Sequence, residues 1–248
     1  MRTDPAGRTF CYALTENHWV VGGPINNGGS ILRWVRDELA TAEAADARQR
    51  GLDPYDALME IAGQVSAGAE GLLFHPYLAG ERAPLWNADA RGSFFGLSIQ
   101  HGKPHMIRAA LEGVIFSLYS ILPALEDLIG PTRRIMATGG FARSALWRQM
   151  MADIFEREVV VPESVESSCL GAAVLGLYAL GRISSLEAIA DMVGSTHHHQ
   201  PDPGSVAIYR KLWPIFAAIP KQLEAQYREL AQFQRQTPAS ISATQSGR

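Results

Sequence analysis

Ala137-Thr138-Gly139-Gly140-Phe141-Ala142-Arg143-Ser144-Ala145-Leu146-Trp147 is the stretch on which the fold turns. Residues 134–138 ahead of it suit a short strand, and Leu146, Met150 and Ile154 recur behind it at helical spacing. Ser144 is a good N-cap, because its hydroxyl can accept from a free backbone N–H of the first turn. The segment therefore predicts a strand, a two-glycine turn and a helix. Glycine tolerates φ > 0 and lets a flat ligand approach a backbone that carries no Cβ. The helix start presents unpaired N–H groups and a partial positive charge, which suits phosphate. From these residues alone a plain strand–helix turn fits equally well. No Gly-Lys-Ser/Thr follows, so this is not a P-loop, and the glycines do not form a GxGxxG fingerprint.

Downstream, Val159-Val160-Val161 predicts a strand stopped by Pro162. Residues 168–180 are apolar or small nearly all round; such a helix is expected in the core, with Cys169 buried, and Gly181 ends it. His197-His198-His199, just ahead of Pro201 and Pro203, reads as a solvated loop rather than a metal tract. A helical pattern returns over residues 205–233 with Tyr209, Leu212, Phe216, Leu223 and Tyr227, where Pro214 and Pro220 are expected to kink or split it.

Upstream, Pro104 opens the clearest helix, with Ile107, Leu111, Val114, Leu118, Leu122 and Leu125 on one stripe and Gly130-Pro131 as its stop. Short strands are predicted at 72–74 and 94–99, around a loose loop in which Glu81 and Arg82 are expected to pair. Asp53-Pro54 marks a helix start. Residues 10–15 and 19–21 flank a turn at Glu16-Asn17 and predict a hairpin. Asn26-Asn27-Gly28-Gly29-Ser30 then opens a helix carrying Ile31, Leu32, Val35 and Leu39. In the second half strands alternate with helices, which implies parallel pairing in an α/β fold, its sheet covered by helices.

The chain has 248 residues, 47% of them hydrophobic and 19% charged, enough for one domain with an ordinary core, here drawn over residues 1–236. Residues 237–248 offer no apolar anchor and are expected to be a disordered tail. A net charge of −3 argues against broad binding to nucleic acid or to an anionic membrane surface. Two distant cysteines form neither a disulfide framework nor a zinc spacing, and no bilayer-spanning or signal segment is read from the sequence. The expected location is the cytoplasm.

The two-glycine segment with Ser144, Trp147, Gln149 and Ala152-Asp153 resembles a signature of the FGGY carbohydrate kinases. So does the downstream Glu166 followed by Leu170-Gly171-Ala172-Ala173; upstream, Tyr77-Leu78, Gly80-Glu81-Arg82-Ala83-Pro84, Arg91-Gly92, Phe95-Gly96-Leu97 and Glu112-Gly113 resemble family motifs in that order. Gly7-Arg8-Thr9-Phe10-Cys11-Tyr12 and Gly23-Pro24-Ile25-Asn26-Asn27-Gly28-Gly29 look closest to the gluconate-phosphorylating branch, with the xylulose kinases next.

That resemblance implies the actin-like, ribonuclease-H-like fold and the C-terminal, nucleotide-binding half of an ATP-dependent kinase for a sugar or sugar acid. ATP would come with Mg²⁺, held mainly by ATP and by the other half. Carried over by position, Gly140 and Phe141 would pack on the adenine, Ser144 would bond near it and Gly139 would shape the turn. Gly28 and Gly29 would lie by the phosphates, with Arg33 facing the nucleotide. The family's catalytic aspartate and its Gly-Thr-Ser hairpin are expected upstream of Thr3, in an N-terminal substrate domain, so no catalytic residue is assigned here. Alone, the chain is expected to be inactive, and its uncovered interdomain face could drive formation of a homodimer. A non-enzymatic nucleotide-binding or interaction module from a split gene is the other reading.

Overall fold

The computed structural model describes residues 3–163 and 167–236; Glu166 and the segment 237–248 lie outside the described residues. Strands β1 (Phe10–Ala13) and β2 (Trp19–Gly22) pair antiparallel, Phe10 opposite Gly22 and Ala13 opposite Trp19. Helix α1 (Gly29–Trp34) runs on through a π-helical turn at Val35–Leu39 into α2 (Thr41–Gln49). Helix α3 (Pro54–Gly63) is capped as predicted: the Asp53 side chain accepts from the Tyr55 N–H at 2.9 Å, and Pro54 sits in the first turn. A second antiparallel pair follows, β3 (Leu73–His75) with β4 (Ser93–Phe95).

The centre of the core is α4 (Lys103–Tyr119), buried continuously from Ile107 to Ser117 and packed on β3 and α3. It approaches β3 so closely that a Cβ at Gly113 would stand 2.1 Å from the Phe74 carbonyl oxygen. Only glycine permits that crossing. The charged pair on this helix is buried too. Glu112 Oε1 accepts from Arg108 Nε (2.5 Å), the Tyr209 hydroxyl (2.7 Å) and the Gly68 N–H (3.0 Å). Burial pushes the Glu112 carboxyl upward, and these donors oppose it.

One helix was expected from residue 104 to 130, and two are found. The run breaks at Ser120, and α5 (Leu122–Ile129) restarts with Pro123 in its first turn, where a missing N–H costs nothing. The stretch Lys103–Ile129 is long and apolar enough to cross a membrane, yet 67% of its most apolar window is buried inside this fold.

After β5 (Arg134–Met136) come α6 (Ala145–Phe155) and β6 (Glu158–Pro162), parallel to β5 as expected. Next stand α7 (Ser167–Ala179), the short α8 (Ile189–Met192) and β7 (Ser195–His199). The three-histidine run was read as a loop. It is instead a strand antiparallel to β6, His199 opposite Val159 and His197 opposite Val161. Its polar side chains hid the backbone pairing. The sheet β5-β6-β7 is thus mixed and flanked by helices.

Two further expectations are corrected. In α7 only Val174 is buried, and Cys169 is exposed rather than enclosed. Pro214 and Pro220 do not interrupt α9 (Pro203–Gln222); the expected division of the pattern falls instead at Leu223, just beyond Pro220, where α10 (Glu224–Gln236) begins. Burial of Val206, Tyr209, Phe216 and Ile219 against the core outweighs the hydrogen bonds those prolines forgo.

Candidate functional site

After β5 the chain bends at Gly139, whose φ of 75° falls in the region that glycine favours. Gly140–Arg143 forms a single 3₁₀ turn. Ser144 then caps α6, its Oγ accepting from the Trp147 N–H at 3.1 Å, which leaves the hydroxyl proton free to donate elsewhere. Phe141 packs against the buried Trp147, ring centroids 4.7 Å apart.

A Cβ built on Gly140 would meet nothing within 4 Å, and the same holds at Gly28 and Gly29. These backbones face open space. That space is a cavity of about 680 Å³, within the range of small-molecule sites. Gly28, Gly29 and Leu32 line it, as do Gly140, Phe141 and Ser144. Val114 and Leu118 of α4 supply apolar wall, and Asp53, Tyr55, Asp56 and Met59 line it from α3 and its cap.

The loop bearing Gly28 and Gly29 is held from below. Asn27 is 1% exposed; its Nδ2 donates to the Gly80 carbonyl (2.6 Å) and to Glu81 Oε2 (3.3 Å), and its Oδ1 accepts from the Ala79 N–H (3.1 Å). Glu81 Oε1 accepts the backbone N–H groups of Asn26 (2.7 Å) and Arg82 (2.8 Å). Glu81 therefore fixes the loop as expected, but by collecting amides. No Glu81–Arg82 side-chain pair forms; the Arg82 guanidinium donates to the Ile25 carbonyl at 3.1 Å.

The sequence-predicted residues thus separate. Gly28, Gly29, Gly140, Phe141 and Ser144 share one cavity, and Gly139 shapes its rim without lining it. Arg33 is exposed and does not line the cavity, its neighbour Leu32 taking that place. The cation that does line it is Arg143, which sequence reasoning passed over, as it did Tyr55 and Met59. An α3 register that places Tyr55, Asp56 and Met59 on one side was the available signal. Among the described residues no group of three or more histidine, cysteine or acidic side chains gathers to hold a metal ion.

Residues 3–180 match the C-terminal domain of the FGGY family of carbohydrate kinases, and the chain belongs to that family. Its architecture is the actin-like ATPase fold, to which its structural neighbours belong.

The chain is 63% identical over 235 residues to the gluconokinase of Bacillus licheniformis, covering 94% of this chain and 46% of that protein. Among solved structures, gluconate kinase from Lactobacillus acidophilus superposes with a TM-score of 0.81 at 37% identity, over 92% of this chain and 45% of that one. Xylulose kinase from the same organism superposes with the same TM-score at 39% identity, over 93% and 45%. The chain spans less than half the length of these relatives.

Proposed function

We propose that this chain is the nucleotide-binding half of an ATP-dependent kinase that phosphorylates a sugar acid, D-gluconate, to 6-phosphogluconate. The single observation that carries the nucleotide reading is the convergence of three unobstructed glycines, Gly28, Gly29 and Gly140, on one cavity. In this reading the adenine lies against Gly140 and Phe141, and Ser144 bonds near it. The phosphates lie toward Gly28 and Gly29, where exposed backbone can donate to oxyanions. Arg143, which lines the cavity, supplies positive charge there, a role the family resemblance gave to Arg33. Gluconate is preferred over xylulose because the 63% identity to a gluconokinase extends through nearly the whole chain.

Phosphoryl transfer needs a positioned alcohol, a base, a metal ion and the γ-phosphate together. The described residues supply a cradle for nucleotide but no three-ligand metal cluster, so Mg²⁺ would arrive on the phosphates and be completed by an N-terminal half. Helix α7 supports that partnership. It carries no charge, and its exposed face holds Ala172, Ala173, Gly176 and Leu177. Gly171 and Gly176 have nothing within 4 Å of a built Cβ, so their smallness serves no contact among the described residues and suits an apolar surface approaching from outside. A cytoplasmic location follows from the metabolic role and the two free cysteines.

Calorimetric titration of ATP into the chain and into a Gly140→Val variant tests the reading. Gly140 is not at a left-handed φ and its Cβ would meet no atom, so folding should be untouched while affinity falls at least about tenfold, or about 1.4 kcal/mol. Equal binding by both proteins would remove the adenine from this turn.

A further inference from the structure

The turn at residues 139–144 is braced from behind by a chain of side chains. Arg148, one turn into α6, is 5% exposed, and its Nη1 donates to the carbonyl of Ala142 at the centre of the turn. Its Nε donates to Nε2 of His199 on β7 at 2.9 Å. Among the described residues no carboxylate lies within ion-pair distance of Arg148, so this buried cation rests on two neutral acceptors.

That arrangement fixes the state of His199. Nε2 must carry a lone pair to accept from Arg148, so the ring proton sits on Nδ1 and is donated to Gln149 Oε1 at 3.2 Å. Gln149 in turn donates to Asp153 Oδ1 and to the Gln200 carbonyl, each at 2.8 Å, and Asp153 Oδ1 also accepts the Asp202 N–H at 2.8 Å. A second proton on His199 would place N–H against N–H and set a positive charge beside the guanidinium.

We propose that Arg148 and a neutral His199 are positioning residues for the nucleotide-site turn, holding the Ala142 carbonyl and with it Gly140 and Phe141, so that protonation of His199 loosens the site. The proposal rests on the nucleotide reading above for its ligand, but not for the motion of the turn. The surroundings agree. Burial, then the charge of Arg148, then His197 hold the imidazole below its ordinary value of about 6.5. Of the other titratable groups near it, His198 is tied to Glu158 of β6 at 2.9 Å. Asp153 of α6, raised by burial, and Asp202 stand beyond Gln149. A histidine depressed in the folded state contributes stability that is complete above about pH 6.5 and is lost as pH falls through its folded value. Acid should therefore open the turn.

The test has two readouts on the full chain. Without nucleotide, hydrogen exchange at the Ala142 amide, which bonds to the Gly139 carbonyl at 3.0 Å, reports opening of the turn; amides within α4 report global unfolding. With nucleotide, ADP affinity is compared between variant and wild type at each pH, so the titration of ADP cancels. Wild type should lose protection at Ala142 as pH falls below about 6.5 while α4 keeps its own. His199→Gln, whose Oε1 can accept from Arg148 but does not titrate, should restore the turn and flatten both profiles. His199→Ala should weaken ADP about tenfold at pH 7.5, and that deficit against wild type should shrink at pH 5.5, where the wild-type brace is already released. Should that variant fail to fold, Arg148→Lys, which reaches one acceptor at a time, gives the same comparison. Parallel pH profiles in wild type and His199→Gln would overturn the proposal. A turn that follows His199 in a chain that never binds ADP would support the brace and reject the nucleotide reading.

Discussion

Helices α4 and α7 invert what their compositions suggest. Helix α4 carries Lys103, Arg108 and Glu112 and is buried continuously from Ile107 to Ser117, whereas α7 carries no charge and buries only Val174. The reason lies in partners. Arg108 and Glu112 satisfy one another and also engage Tyr209 and Gly68, so enclosing them leaves no orphaned charge. Among the described residues little packs on α7, and its Ala172, Ala173, Gly176 and Leu177 stay exposed. An apolar helix states a demand for burial without saying which molecule meets it.

The two helices also use glycine in opposite ways, and substitution can break or sharpen that contrast. Gly113→Ala should have the largest effect, because its Cβ would run into the Phe74 carbonyl, which is backbone and cannot rotate away. A loss of about 3 kcal/mol, the upper range for overpacking, is expected in denaturant melts. Gly176→Ala in α7 should do the reverse, stabilising the isolated chain by up to about 1 kcal/mol through helix propensity alone. A clear destabilisation would mean that this face is already packed. Leu177→Glu together with Leu180→Glu should leave unfolding free energy within about 0.5 kcal/mol of wild type. The same pair should abolish association with a separately produced N-terminal kinase half, read by analytical ultracentrifugation. Retained association would move the docking face elsewhere.

Local signals made much of the fold legible. The strand, double glycine, Ser144 cap and α6 were readable because each residue does locally what its chemistry favours, and the hairpin and the Asp53-Pro54 helix start were readable likewise. What failed depended on distant neighbours. The β7 histidines look like solvated loop until β6 offers its edge, and Pro214 and Pro220 look like breaks until α9 is packed on α4. Within the cavity, glycines announced themselves through backbone freedom. Arg143, Tyr55 and Asp56 did not, because ordinary polar residues acquire a role only from the direction in which a helix or turn presents them.

The Glu81 carboxylate has a consequence for kinetics. By collecting the amides of Asn26 and Arg82 and the side chain of Asn27, it welds two loops into one stiff strut beneath Gly28 and Gly29. The conformational entropy of that strut is surrendered when the chain folds, not when a small molecule arrives. A site so prepared should capture its ligand in a single diffusive step, with observed rates that rise linearly with concentration and show no slow isomerisation after contact.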